Sequence, residues 1–282
     1  MAAVDCTIQL ISLKPDTAID EVLFQLRTNT NQRILITGRT HGWVHKPHKL
    51  DVDELLAHEW HLFVLTAASS EPLQLNAAVE AHFEINVAIP EVQWKQLVDP
   101  DSKQPRSTPQ LPSEWIEQST GDLHVPKQHV SSQTTASPAA GTLKLDASMA
   151  KFLSTSLPEN VRQKPVSLFN LFKYRDGDSA VHEQYMQDFK NSFGDSAGAY
   201  VKFMGPVGPL ISLDAAGEIQ AQQQVGDDGS WQEANLTHYD STFHYAYMLS
   251  TDVYQELNKD KVRGLEDTCI LLVSEVEMLR EG

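Results

Sequence analysis

The order of predicted strands and helices repeats once along the chain, and this repeat limits the fold more than any other sequence feature. In the first half, apolar runs and alternating patterns predict strands at residues 7–13, 33–45, 59–66 and 83–88. Apolar residues at helical spacing predict helices at residues 17–28 and 72–81, with a short extra helix at 51–58. The order is therefore β-α-β-β-α-β.

The second half follows the same order. Strands are predicted at residues 166–174, 199–204, 231–238 and 268–276. A helix begins near Ser179, and its Val181, Tyr185, Phe189 and Phe193 form one apolar stripe. The sequence GPVGP at 205–209 predicts that a strand ends there and that a long excursion runs to residue 230. Two further helices follow, to Met248 and to about residue 258.

A segment rich in Pro, Ser, Thr and Gln separates the two halves. We therefore divide the chain into a first unit at residues 1–92, a linker with short helices at 93–165 and a second unit at 166–282. Within the linker we expect two ordered pieces: residues 113–118, where Trp115 is an anchor, and a short helix at 146–154.

A β-α-β-β-α-β unit covers one face of its sheet with helices and leaves the other face bare. That bare face must be buried, and two such sheets can bury each other. The sequence thus predicts an α+β protein in which two tandem ferredoxin-like units form a pseudo-dimeric α/β barrel, joined by a long, partly disordered linker.

Composition excludes several classes of function. A net charge of −16 disfavours binding to nucleic acids or anionic membranes. No window of eighteen apolar residues predicts a transmembrane helix, and the N-terminus lacks the basic start of a secretory signal. With only Cys6 and Cys269, a disulfide framework is not expected, so we predict a cytoplasmic protein with both cysteines buried in strands. We expect the protein to be a monomer or a homodimer.

Four stretches of the second half carry a family resemblance: VSLFNLFKY at 166–174, AYVKFMGPV at 199–207, LTHYDSTFHYAYM at 236–248 and the run from 253 to 276. They resemble the DUF1330-type branch of the dimeric α/β-barrel superfamily. The first half is similar to the N-terminal part of a fungal family of tandem proteins. Where that pattern has Pro after His238 and Tyr239, this chain has Asp240. The superfamily implies a small-molecule pocket, and it includes cofactor-free monooxygenases, cyclases, isomerases and dehydratases.

Four residues are the candidate catalytic set. His238 ends a strand and suits a general base near neutral pH, while Lys202 and Asn170 lie within strands, where polar groups need partners or a wet cavity. Lys202 and Asn170 would stabilise a developing enolate, and Tyr239 would donate a proton.

Five further residues are candidates for substrate binding. Arg39, His41, Trp43 and His45 alternate along one strand and so would share a face, which could line the barrel interior. Arg263, ahead of the last strand, could recognise a carboxylate or carbonyl group. We assign no metal site, because the spacing of His41, His45 and His48 is not a known ligand pattern.

No phosphate loop, nucleophile elbow or zinc-protease motif occurs, and nothing beyond the presence of His182 and His238 indicates haem, so no cofactor is predicted. The favoured function is a cofactor-independent cyclase, isomerase or dehydratase that transfers protons on a small, hydrophobic, oxygenated metabolite. A non-catalytic small-molecule-binding or interaction protein and a cofactor-free monooxygenase remain the alternatives.

Overall fold

A computed structural model describes residues 2–28, 33–68, 78–99, 108–132, 142–175, 179–193, 198–214, 219–223 and 230–276. In the first unit, strand β1 spans Ala3–Leu13, helix α1 Ile19–Thr28, β2 Ile34–His45, α2 Val52–Leu56, β3 Leu62–Ala67 and β4 Val79–Pro90. Helix α3, at Glu91–Val98, crosses the proposed boundary between this unit and the linker. Its strands are ordered β4-β1-β3-β2, all antiparallel.

The second unit starts with β5 at Val166–Tyr174. Helix α6 spans Ser179–Phe193, β6 Tyr200–Asp214, β7 Ile219–Gln223, β8 Glu233–Tyr239, α7 Thr242–Ser250, α8 Asp252–Gly264 and β9 Leu265–Glu275. Its main strands are ordered β9-β5-β8-β6, which is the same 4-1-3-2 order as in the first unit. Ser241 and Thr251 cap α7 and α8 through their side-chain oxygens.

The two sheets close on each other into one barrel of eight strands. One seam joins β2 to β9, and the other joins β4 to β6. Strand β7 pairs with β6 and lies outside the closed ring. The chain is therefore an α+β protein with two ferredoxin-like units that form a pseudo-dimeric barrel, as the repeat predicts.

Apolar side chains from all eight ring strands fill the barrel interior. Phe63, Phe169 and Phe203 are fully buried there, and the rings of Phe63 and Phe169 are 5.2 Å apart. Both cysteines belong to this cluster, are free and are buried, which confirms that prediction. The interior is thus a packed core.

The described parts of the linker pack onto the helices of the second unit. They contain short 3-10 turns at Ser113–Trp115 and Lys127–His129, α4 at Ala147–Lys151, a π-turn at Phe152–Ser156 and α5 at Glu159–Arg162. Trp115 is fully buried and contacts Tyr247 of α7, which confirms its role as an anchor. The carbonyl oxygen of Pro109 lies 3.0 Å from His244 Nε2. These parts of the linker therefore belong to the core of the second unit.

Two sequence expectations about elements are wrong. The predicted helix at 72–81 lies partly outside the described residues, but its last three residues form the start of β4. The predicted strand end at Gly205 is also wrong, because β6 continues to Asp214. A Cβ atom on Gly205 would lie 2.0 Å from the carbonyl oxygen of Ala88, so glycine is needed where β4 and β6 approach each other.

Candidate active site

A cavity lies between the sheet of the second unit and its helices. Its floor is formed by the outward faces of β5 and β8, and its roof by α6, α7 and α8. Leu143 from the linker completes the wall. The cavity therefore lies on the helix side of the sheet, outside the barrel.

Polar side chains of neighbouring strands meet on the floor of the cavity. Asn170 on β5 is directly opposite Asn235 on β8. Asn170 Nδ2 donates to Asn235 Oδ1 at 2.7 Å and to the carbonyl oxygen of Leu168 at 2.9 Å, and Thr237 Oγ1 donates to Asn235 Oδ1 at 3.3 Å. Both hydrogens of the Asn170 amide are thereby used. The Asn235 amide nitrogen has no acceptor among the described residues, so it is the donor left for a bound molecule.

Lys261 is the charged group of the cavity. It is only 4% exposed, and burial lowers the pKa of its amine to about 8. Its Nζ lies 5.8 Å from the ring centre of Phe172, and no described carboxylate forms an ion pair with it. A buried amine with this pKa is present in both protonation states near neutral pH, as a proton carrier requires.

Helix α8 places Lys261 in the cavity because of its helical period. Tyr254, Asn258 and Lys261 are the buried side chains on one face of this helix. The same period is visible in the sequence, where Lys261 continues the stripe of Tyr254 and Leu257. The sequence-based prediction did not assign this lysine to the site, although this signal could have identified it.

Four tyrosines contribute phenol groups to the cavity wall: Tyr185, Tyr239, Tyr245 and Tyr254. Burial raises the pKa of each of them above its ordinary value, so all four remain protonated at neutral pH. The Tyr245 hydroxyl is buried without a partner among the described residues. It is a second donor that a bound molecule could use.

The cavity is small. Its volume is about 30 Å³, which is room for one or two water molecules. An organic ligand would therefore need the covering helices to move apart before it could enter.

At one end of the polar strand faces, a buried histidine lies next to a partly buried carboxylate. His182 of α6 is packed against Phe172 and Tyr174, and its Nε2 lies 3.6 Å from Glu233 Oε1 of β8. Neither ring nitrogen has a hydrogen-bond partner among the described residues. His182 does not line the cavity itself, but Tyr185 and Phe172 separate it from the cavity by a single layer.

The four predicted catalytic residues divide between two faces of the sheet. Asn170 and Tyr239 line the cavity, whereas His238 and Lys202 lie at one end of the barrel. The reason is local, because consecutive residues of a strand point to opposite faces, and His238 precedes Tyr239 on β8. The structure therefore does not bring His238 and Lys202 together with Asn170, and the expectation that the three act on one substrate is wrong.

His238 and Lys202 belong to a separate ionic cluster. Lys202 Nζ contacts both carboxylate oxygens of Glu275 at 2.5 and 2.6 Å, and Ser167 Oγ donates to Glu275 at 2.6 Å. His238 packs on Tyr200, and burial, reinforced by the Lys202 charge, lowers its pKa to about 4. Lys202 is thus committed to Glu275, and the imidazole is neutral at pH 7.

The predicted substrate-binding strand face is also divided. Gly42 has a φ of +103°, and the β2–β9 pairing shifts register on both sides of Trp43. Trp43 packs against the barrel core, whereas Arg39 reaches Asp20 on α1, and His41 Nε2 lies 2.6 Å from Ser274 Oγ. The expectation of one shared face is wrong, because the irregular pairing rotates the side chains relative to each other.

His45 reaches the second unit near Lys261. Burial and the charge of Lys261 lower the pKa of the His45 imidazole to about 4, and its ring contacts His48 at 5.2 Å. Arg263 lies on the outer surface of α8, where its Nη2 is 3.2 Å from Asp260 Oδ1. None of the five proposed substrate-binding residues is among the side chains that line the helix-side cavity.

Within the described residues, no group of three His, Cys, Asp or Glu side chains is arranged to hold a metal ion. None of the described helices combines the length and the apolar character needed to span a bilayer.

Comparisons with known proteins give a limited result. No protein-family model matches the chain, and a search of curated proteins finds no match. Among solved structures, a protein of unknown function from Rhodopseudomonas palustris is 20% identical over 41% of this chain and 85% of its own, with a TM-score of 0.33. A candidate monooxygenase from Lactobacillus acidophilus is 7% identical over 98% of this chain and 94% of its own, with a TM-score of 0.42.

A candidate monooxygenase from Fusobacterium nucleatum has the same identity and coverage, with a TM-score of 0.37. At these identities and scores the likeness says nothing about the reaction of this chain. The barrel architecture rests on its own strand order, and no family model supports the finer DUF1330-type resemblance.

Proposed function

We propose that the protein is a cofactor-independent enzyme that transfers a proton on a small oxygenated metabolite in the helix-side cavity of its second unit. The observation that carries this proposal is Lys261, a buried amine on a cavity wall with a pKa of about 8 and no ion-pair partner among the described residues. Burying such a group destabilises the fold, and groups of this kind concentrate at functional sites.

In this proposal the neutral amine of Lys261 removes a proton from a carbon next to a carbonyl group. Negative charge then develops on the carbonyl oxygen, and the Asn235 amide and the Tyr245 hydroxyl donate hydrogen bonds to it. Asn170 holds the Asn235 amide in place through their 2.7 Å hydrogen bond. Tyr239, which the sequence analysis proposed as a proton donor, lines the same cavity and keeps that proposed role.

Isomerisation, cyclisation and dehydration all follow from such an enolate without a cofactor. The apolar and aromatic walls, which include Phe172, Phe189 and Ile270, favour a hydrophobic ligand with few polar groups. This chemistry agrees with the reaction class expected from the sequence, but the base is Lys261 instead of His238.

The test is a proton-exchange screen. A metabolite extract from the native host is incubated in D₂O with the wild-type protein, with Lys261→Met and with Lys259→Met, and mass spectrometry follows deuterium uptake, loss of water and isomer formation. Lys259 is an exposed lysine of the same helix and provides the matched control. We expect one metabolite to react with wild type and Lys259→Met at least about 100-fold faster than with Lys261→Met.

Other outcomes would decide against this proposal. If no metabolite gains deuterium or changes mass, the protein is not a proton-transfer enzyme, and a compound that co-purifies unchanged would indicate a binding protein. A reaction that is lost in His238→Ala but retained in Lys261→Met would place the chemistry at the barrel end. Oxygen incorporation would indicate a monooxygenase.

A further inference from the structure

A second depression lies on the outer surface of the same helices. It has a volume of about 290 Å³ and lies between α6 and α8. Its lining side chains come from the first two turns of α6 and the last turn of α8: Ala180, Val181, Gln184, Tyr185, Asp260 and Arg263. We refer to it as the α6–α8 groove. Its volume is far larger than that of the helix-side cavity.

Tyr185 is the residue that the groove and the cavity have in common. Its side chain is 6% exposed, so its ring fills the space between the two. The ring is held by neighbours on its own helix, with His182 at 5.6 Å and Phe189 at 6.1 Å between ring centres. Its hydroxyl interacts with the Tyr254 hydroxyl of α8. One aromatic side chain therefore lies between the groove and the cavity that Lys261 lines.

The position of Lys261 supports the same connection. It follows Asp260, a groove residue, and precedes Arg263 by two positions, yet its side chain is on the cavity side of α8. Only the α8 backbone therefore lies between the groove residues Asp260 and Arg263 and the cavity side chain of Lys261, whereas the barrel on the other side of the sheet is packed.

We propose that the α6–α8 groove is the entrance to the cavity and that Tyr185 is the residue that limits the size of the molecules admitted. This inference rests on the site proposed above, though not on its chemistry. The entrance is polar, with Gln184 and the Asp260–Arg263 ion pair at its edge, whereas the interior is aromatic. Such an entrance suits small oxygenated molecules whose polar end contacts Arg263 while the apolar end passes Tyr185.

The test measures access to Lys261 directly. The protein is treated at pH 8 with formaldehyde and cyanoborohydride, and peptide mass spectrometry follows the methylation of each lysine. Because the reagent attacks the neutral amine, Lys261 is chemically competent at this pH. We expect Tyr185→Ala to accelerate the methylation of Lys261 at least about tenfold, as expected when a closed path is opened. Tyr185→Phe keeps the ring and should change the rate less than about twofold.

Exposed Lys95 and Lys259 serve as internal controls and should react equally in every variant. Equal Lys261 rates in wild type and Tyr185→Ala would overturn the proposal, since the reagent would then enter elsewhere. Equal acceleration by Tyr185→Ala and Tyr185→Phe would also overturn it, because the hydroxyl contact and not the ring would close the path.

A second variant keeps the proposal testable if Tyr185→Ala does not fold. Val181→Trp would fill the groove from its outer side, and we expect it to slow the methylation of Lys261 while the exposed lysines react as before. An unchanged rate in a folded Val181→Trp protein would contradict the proposed entrance. Methylation requires no turnover, so this result is independent of whether the proton-transfer screen finds a substrate.

Discussion

At the scale of single residues, the least expected feature is the buried cation Lys261. A lysine amine with a pKa of about 8 in the folded protein and 10.5 in the unfolded chain binds its proton less tightly when the protein folds. The difference corresponds to about 3 kcal/mol of stability lost wherever both states are protonated. No described carboxylate compensates this loss, which is the pattern of a residue kept for its chemistry.

We expect Lys261→Met to stabilise the protein by about 3 kcal/mol at pH 7. Well below pH 8, Lys261 is protonated in almost all folded and unfolded molecules, so the full loss of stability is present there. Between pH 8 and 10.5, Lys261 loses its proton in the folded protein but keeps it in the unfolded chain. The loss of stability caused by burying the charged amine therefore disappears over this range. The increase in the free energy of unfolding caused by Lys261→Met should therefore become steadily smaller as the pH rises from 8 to 10. Urea unfolding at several pH values measures this.

The control for this measurement is Lys259→Met, whose side chain is exposed. It should change the free energy of unfolding by less than about 0.5 kcal/mol at every pH. A loss of stability in Lys261→Met at pH 7, or a gain that does not depend on pH, would show that the amine is compensated in the folded protein.

At the scale of elements, the loop after β2 is tied to the start of β9. Asp267 is fully buried, and its carboxylate accepts hydrogen bonds from the backbone amides of His48, Lys49, Leu50 and Thr268 at 2.8–3.2 Å. Three of these donors belong to the first unit, and the carboxylate belongs to the second. The contact therefore fixes the end of β2, and with it His45, beside the helices that cover the cavity.

We expect Asp267→Asn to destabilise the protein by about 3 kcal/mol, because both carboxylate oxygens face N–H donors and an amide would place its own NH₂ against one set of them. Thermal or urea unfolding measures this change. Glu266→Gln is the matched control, since Glu266 forms a half-exposed pair with Lys49 and should contribute less than about 1 kcal/mol. Equal effects of the two changes would contradict the role given to Asp267.

At the scale of the whole molecule, the barrel depends on two seams between the units. The β4–β6 seam requires close approach of two backbones, and Gly205 lies where that approach is tightest. Closure removes the exposed edges of both ferredoxin-like sheets and buries their bare faces together. The two units therefore share one large core, to which all eight ring strands contribute.

We expect Gly205→Ala to destabilise the protein by at least about 2 kcal/mol, since the added methyl group would overlap the carbonyl oxygen of Ala88. At Gly208 the nearest atom to an added Cβ is Asn86 Cβ at 3.0 Å, so Gly208→Ala should have less than half of that effect. Urea unfolding of the two variants tests the ranking. The reverse order would show that the seam opens without strain at Gly205.

Local patterns determined much of the architecture. The repeated element order and the stripe of Tyr185, Phe189 and Phe193 depend on neighbours within a few positions, so the sequence shows them directly. The burial of bare sheet faces then required that the two units meet. The continuation of the strand through GPVGP was missed because its glycines serve a contact with the distant strand β4, and no local pattern reports that contact.

Tertiary structure determines which residues come together in the candidate site. Residue type alone selected His238 and Lys202, but strand alternation and the Glu275 carboxylate place both away from Asn170. Lys261 acquires its low pKa only through burial under packed helices, and Asn235 becomes a donor for a ligand only because Asn170 occupies its carbonyl oxygen. Burial and pairing are properties of the assembled fold, so the sequence determined the scaffold by itself, whereas the positions of the reactive groups arose only when the distant segments packed together.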